Sequence, residues 1–132
     1  MTTLTELSDD DCWALLEARR PRLGRVGFST GDGTVVYPMN YAVADRAVFL
    51  RTEATSRLAS AVDPHHVAFE VDEVDVHWET GWSVLVHGHL REVVDLDELE
   101  RYRELPLQTW APDARLHLLR LDVTRISGRR LA

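Results

Sequence analysis

The sequence predicts a mainly β domain, a small antiparallel barrel with peripheral helices at its crossings. Three observations point there. Apolar–polar alternation recurs at short spacing, as in Val67, Phe69 and Val71 against Ala68, Glu70 and Asp72. Turn residues separate the alternating runs, most clearly Gly31-Asp32-Gly33. About six strands of this length close up to hide their edges, although a sandwich fits the periodicity nearly as well.

The elements follow in order. Ser8-Asp9-Asp10-Asp11 opens a helix, a capping side chain followed by acids in the first turn. That helix carries Trp13, Leu15 and Leu16, ends near Arg19-Arg20 before Pro21, and makes residues 1–22 an N-terminal helical segment packing on the barrel. A strand over 23–30 turns at Gly31-Asp32-Gly33 into one over 34–43. Pro38 cannot donate to a ladder, which places this second strand at an edge or a bulge. Asn40 and Tyr41 then present an amide and a phenol on opposite faces. Ala44-Asp45-Arg46 turns into a strand over 47–52, followed at once by a short helix over 55–61 that stops by Asp63-Pro64. Strands follow over 66–74 and 82–94, joined by a polar loop. An amphipathic helix begins at Asp95 with acids first and arginines late. A loop over 105–114 with Pro106, Trp110 and Pro112 leads to a last strand over 116–131, bent near Ser127-Gly128. There is no internal repeat or linker.

At 132 residues the chain has room for one domain with a real core, 1–132, and not for two. No run approaches the ~20 apolar residues of a membrane span, and the polar N-terminus lacks a secretory pattern. The single cysteine, Cys12, cannot close an internal disulfide; it reads as buried packing and the expected location is cytoplasmic. A formal charge of −7 argues against a nucleic-acid partner. All 15 basic residues are arginine, which removes Schiff-base lysines and lysine-dependent phosphate loops, although the bias itself fits genomic composition. Negative charge overall with a local arginine pair suggests a small anionic ligand in a specific pocket.

The pair lies in Phe49-Leu50-Arg51-Thr52-Glu53-Ala54-Thr55-Ser56-Arg57-Leu58. Here a strand ends in Arg-Thr and a helix starts at once, so Arg51, Ser56 and Arg57 can converge with free helix-start N–H groups. Guanidinium forks and helix starts both favour phosphate. The plainer reading is two surface arginines beside an ordinary capped helix. The preceding run Tyr37-Pro38-Met39-Asn40-Tyr41 offers edge-strand backbone groups to a planar heterocycle, or is a simple protected edge.

Other polar groups have plainer readings. His87 and His89 share a strand face, which is metal-compatible, but no third ligand stands at suitable spacing, so they read as solvent-facing or interface residues. His65-His66 reads as a solvated turn. Glu70, Asp72, Glu73 and Asp75 read as a wet acidic face. Trp13, Trp78, Trp82 and Trp110 read as core or interface. No Ser-His-Asp order, paired glutamates or glycine-rich phosphate loop is present.

Residues 24–131 resemble the pyridoxamine 5′-phosphate oxidase-like, flavin-binding split-barrel family, including its small actinobacterial flavin- and deazaflavin-dependent reductases. The matching pieces are Gly24-Arg25-Val26-Gly27-Phe28, Tyr37-Pro38-Met39-Asn40-Tyr41, Phe49-Leu50-Arg51-Thr52, Ser56-Arg57-Leu58, Val67-Ala68-Phe69-Glu70-Val71-Asp72, Gly81-Trp82-Ser83-Val84-Leu85-Val86-His87-Gly88, Trp110-Ala111-Pro112 and Gly128-Arg129-Arg130-Leu131. The resemblance implies a six-stranded antiparallel split barrel that dimerises with itself and holds FMN at the subunit interface. It implies that Arg51, Thr52, Ser56 and Arg57 hold the cofactor phosphate and that Tyr37, Pro38, Met39, Asn40 and Tyr41 lie along the ring. Trp82, Ser83 and Trp110 would come from near the partner's side. Many relatives carry lysine where Arg57 stands. The implied activity is hydride transfer to a small-molecule substrate, in which the protein positions the substrate and tunes the ring, so no catalytic acid is named. Two alternatives stay open. One is a deazaflavin coenzyme in a groove lined by Arg25, Arg46 and Arg51; the other is a non-catalytic flavin or haem carrier with His87 or His89 as haem ligand.

Overall fold

The computed structural model describes residues 3–31, 33–53, 58, 66–107 and 116–132. The elements run β1 (Leu4–Glu6), α1 (Asp9–Ala18), β2 (Leu23–Thr30), β3 (Gly33–Asn40), β4 (Ala42–Ala44), β5 (Ala47–Glu53), β6 (His66–Asp75), β7 (Thr80–Glu92), α2 (Leu96–Arg101) and β8 (Leu116–Leu131). Apart from Leu58, the helix expected over 55–61 lies outside the described residues, as does most of the loop over 105–114.

All strands join one antiparallel sheet in the order β3-β2-β6-β7-β8-β5-β4, with β1 added to the end of β8. The two ends of that path, β3 and β4, are consecutive in the chain with only Tyr41 between them. A sheet whose two edges are covalent neighbours must curl until they meet, and the result is a split barrel. The expected six strands become eight for two reasons. The strand expected over 34–43 breaks at Tyr41 into β3 and β4, and β1 is too short and too exposed to leave a pattern. Pro38 lies on β3 at the end of the path, opposite Arg25, where its missing N–H costs no ladder bond.

Inside the curl, alternate residues of the strands form the main core. Val26, Phe28, Val48, Leu50, Val67, Phe69, Val71, Val84, Val86, Leu119 and Leu121 are all buried. α1 closes one side of it with Cys12, Trp13 and Leu16, spaced to share a helical stripe. Its start is capped as the sequence predicts, the Ser8 hydroxyl accepting the Asp11 N–H at 3.1 Å. A second cluster lies on the outer side, where Ala42, Ala47, Phe49, Leu118 and Val93 pack against Tyr102, Leu99, Leu105 and Leu107. α2 is pinned over it by paired bonds from the Arg91 guanidinium to both Glu98 carboxylate oxygens, each 2.7 Å.

The bend expected near Ser127-Gly128 occurs elsewhere. The β7–β8 register shifts at His87/Gly88, where Arg125 and Val123 face successive residues and Thr124 is the extra one. Gly88 is required there, because a Cβ would sit 2.1 Å from the Asp122 carbonyl oxygen. Gly128 serves a different purpose: a Cβ would lie 2.8 Å from Cys12 Sγ, so its bareness lets α1 approach the sheet.

Candidate functional site

Of the expected site residues, Ser56, Arg57 and Trp110 lie outside the described residues. The others separate into three places.

The first is the end of β5. Arg51 stands opposite Leu118 on the outer face, half-buried. Its Nε is buried with no hydrogen-bond partner among the described residues. A buried guanidinium donor left unbonded is costly, so this position suits an acceptor beyond the described residues. Thr52 beside it is buried. Asn40 ends β3, opposite Leu23. Asn40 opens on a cleft of about 460 Å³ that Arg20, Arg22, Leu105 and Leu107 also line.

The second place is β3 itself. Tyr37 and Met39 turn towards the core, Tyr37 packing on Phe28 with ring centroids 5.8 Å apart, while Pro38 is exposed outside. Tyr41 corrects the sequence reading. Its phenol is not presented on a strand face; it is 1% exposed and its hydroxyl donates to the Leu16 carbonyl oxygen at 2.6 Å. Burial pushes its pKa up to about 12, against the opposing pull of Arg22 and its neighbours. The strand breaks at Tyr41 because its ring is needed inside, edge-on to Phe69.

The third place is the start of β7. Trp82 and Ser83 pair with Arg130 and Arg129 and line a cleft of about 490 Å³ with Leu4, Val74 and Leu131. Arg51 pairs with Leu118 on the same β8, so roughly 40 Å of strand separates the two places. One chain therefore does not bring Trp82 and Arg51 together.

The groove of Arg25, Arg46 and Arg51 does not assemble either. Arg25 is 3.5 Å from Glu70 and 3.7 Å from Asp72, Arg46 pairs with Asp10 at the β4–β5 turn, and Arg51 is at the far end of β5. Within the acidic run Glu73 and Asp75 are exposed as expected, and Glu70 departs. Glu70 is half-buried beside a cavity of about 330 Å³ floored by Gly27 and Ala68, and its Oε1 is buried without a hydrogen-bond partner. Burial first, then the adjoining Asp72 carboxyl, push its pKa up to about 7, with Arg25 opposing. Sequence reasoning missed this, though the signal existed: alternation sets Glu70 opposite the core face, and a strand neighbour decides whether that face is wet. Cys12 is buried as expected, and burial raises its thiol pKa.

The curled sheet and its plugging helix define a split-barrel domain. A family model described as pyridoxamine 5′-phosphate oxidase matches residues 8–130, and the chain belongs to that family. An uncharacterized protein of Mycobacterium tuberculosis is 32% identical over 97% of this chain and 86% of its own length. The FAD binding protein from Mycobacterium smegmatis is 36% identical, covers 96% of this chain and 98% of its own, and superposes with a TM-score of 0.83. An FAD-binding protein from Mesorhizobium loti is 22% identical, covers 100% of this chain and 99% of its own, and shares the fold with a TM-score of 0.82.

Proposed function

We propose that this protein binds a flavin nucleotide and acts as an oxidoreductase on a small substrate. FMN is the form its phosphate clamp suggests; FAD is the alternative that the similarity to the M. smegmatis protein raises. The observation that carries the reading is the buried Arg51 Nε at the end of β5, which has no hydrogen-bond partner among the described residues. Arg51 and Thr52 hold the phosphate together with Ser56 and Arg57, which follow after three intervening residues. The β3 segment from Tyr37 to Asn40 positions the ring through its edge-strand backbone, and Tyr41 supports it from the core. When bound, a flavin supplies hydride transfer at its ring, and the chain's part is to orient substrate and exclude water.

The separation of Trp82 and Ser83 from Arg51 supports a site shared between two copies of the chain, since each copy then supplies what the other lacks. The same reading takes the protein to be a cytoplasmic homodimer. No helix of the described residues is long and apolar enough to cross a membrane.

Titration of the purified chain with FMN, FAD and a deazaflavin coenzyme, followed by flavin fluorescence, tests the proposal. Arg51→Ala is expected to weaken flavin affinity about tenfold to a hundredfold, the value of a charge-assisted contact. Absence of binding to any of the three, or equal affinity in the variant, would overturn it.

A further inference from the structure

His87 and His89 are two apart on β7 and share its outer face. The sequence offers no third ligand near them, but strand pairing supplies one. β6 sets His66 directly opposite His89 and two pairs along from His87, so the three rings share a face. The His66 ring centroid is 5.4 Å from that of His87 and 5.4 Å from that of His89. His66 Nε2 and His87 Nδ1 lie 3.3 Å apart.

We propose that His66, His87 and His89 form a three-imidazole site for a divalent transition metal of the zinc class. Two histidines alternating on one strand, with a third on the antiparallel neighbour, place three nitrogen donors on one side of a sheet. Zinc accepts such a set and completes its shell with water. The nitrogen spacing suits it: with Zn–N near 2.0–2.1 Å, two ligands at a tetrahedral angle stand about 3.3–3.4 Å apart. As placed, the His66 and His87 nitrogens face each other, and among the described residues no three ligating side chains converge on one point. His66 and His89 are exposed, so turning their rings towards a common centre requires only a change of rotamer. Among the described residues the carboxylate nearest in the register is already engaged. Asp122, opposite His89, accepts from Arg91 at 2.7 Å and from Arg120 at 2.8 Å. Arg125, opposite His87, opposes a cation. The site therefore calls for an ion that binds neutral imidazole strongly, which zinc and copper do and magnesium and calcium do not.

The test is calorimetric titration of the chelator-treated full chain with zinc chloride, with imidazole NMR spectra recorded on the same sample. One zinc per chain is expected, with His66, His87 and His89 resonances shifting and those of His77 and His117 unmoved. His66→Gln, His87→Gln and His89→Gln should each weaken binding about tenfold or more, while His77→Gln binds as the parent does. No uptake by the parent, a loss confined to one of the three variants, or shifts centred on His77 or His117 would each overturn the site. The NMR result on the parent chain stands even where a variant folds poorly.

Discussion

The Tyr41 hydroxyl donates a 2.6 Å hydrogen bond to the Leu16 carbonyl oxygen, tying the break between β3 and β4 to the last turn of α1. Carbonyls in a helix's last turn have no partner within the helix, so Tyr41 satisfies one that would otherwise be buried and unbonded. Tyr41→Phe keeps the ring and removes the donor. A loss of about 1–3 kcal/mol is expected, a fall of roughly 3–10 °C in Tm by calorimetry, with flavin affinity unchanged. The reverse pattern, weakened flavin binding at an unchanged Tm, would return the phenol to the cofactor site.

Arg51→Met should act in the opposite sense on stability. Methionine fills similar space without a buried donor that lacks a partner. Melting of the flavin-free chain is therefore expected at the same temperature or higher, while the flavin-dependent rise in Tm disappears. A flavin-free variant markedly less stable than the parent would mean that Arg51 is a structural residue.

The Glu70 carboxyl gives stability a pH dependence. Its folded pKa of about 7 lies above the ordinary carboxylate value, so the folded chain holds a proton that the unfolded chain has released. This contribution is fully present below the unfolded value and is lost as pH rises through about 7. Denaturant melts across that window should show stability falling towards neutral pH in the parent and a flatter profile in Glu70→Gln. Identical profiles would mean the carboxyl ionises as it would in water.

What the sequence disclosed and what it hid divide along one physical line. Local rules found α1 with its Ser8 cap, the alternating strands and the edge position of Pro38, because each depends on neighbours a few residues away. The burial of Tyr41 depends on a helix 25 residues distant, and the raised pKa of Glu70 on a packed outer face. The grouping of His66 with His89 depends on a register that no single strand contains. The irregularity of β8 lies at Thr124 and not at Ser127-Gly128, because it arises from a register mismatch with β7 and not from the glycine pattern alone. Arg51's position near the end of its strand was legible from the alternation, whereas its distance from Trp82 required the whole sheet.

Gly88 and Gly27 offer a contrast within one sheet. A methyl at Gly88 would lie 2.1 Å from a backbone oxygen, whereas one at Gly27 meets nothing nearer than 3.9 Å. Gly88→Ala should cost several kcal/mol or prevent folding, on the order of an overpacked core. Gly27→Ala should leave Tm within a few degrees. Comparable losses in the two would remove the close β7–β8 approach as the reason for the bulge.

A site shared between two copies makes a prediction that no single-chain site shares. Arg51 and Trp82 lie far apart along β8's two neighbours, so the proposed shared site would take one of them from each subunit. Arg51→Ala and Trp82→Leu homodimers should each bind flavin poorly. Unfolding the two variants together and refolding them as a mixture gives about half heterodimers, each with one intact and one doubly altered site. About a quarter of the parent's binding sites should return, at parental affinity, by fluorescence titration. Binding that stays at the level of the separate variants, with heterodimers confirmed by mass, would place the whole site within one chain. Sedimentation of the parent as a monomer at working concentration would do the same.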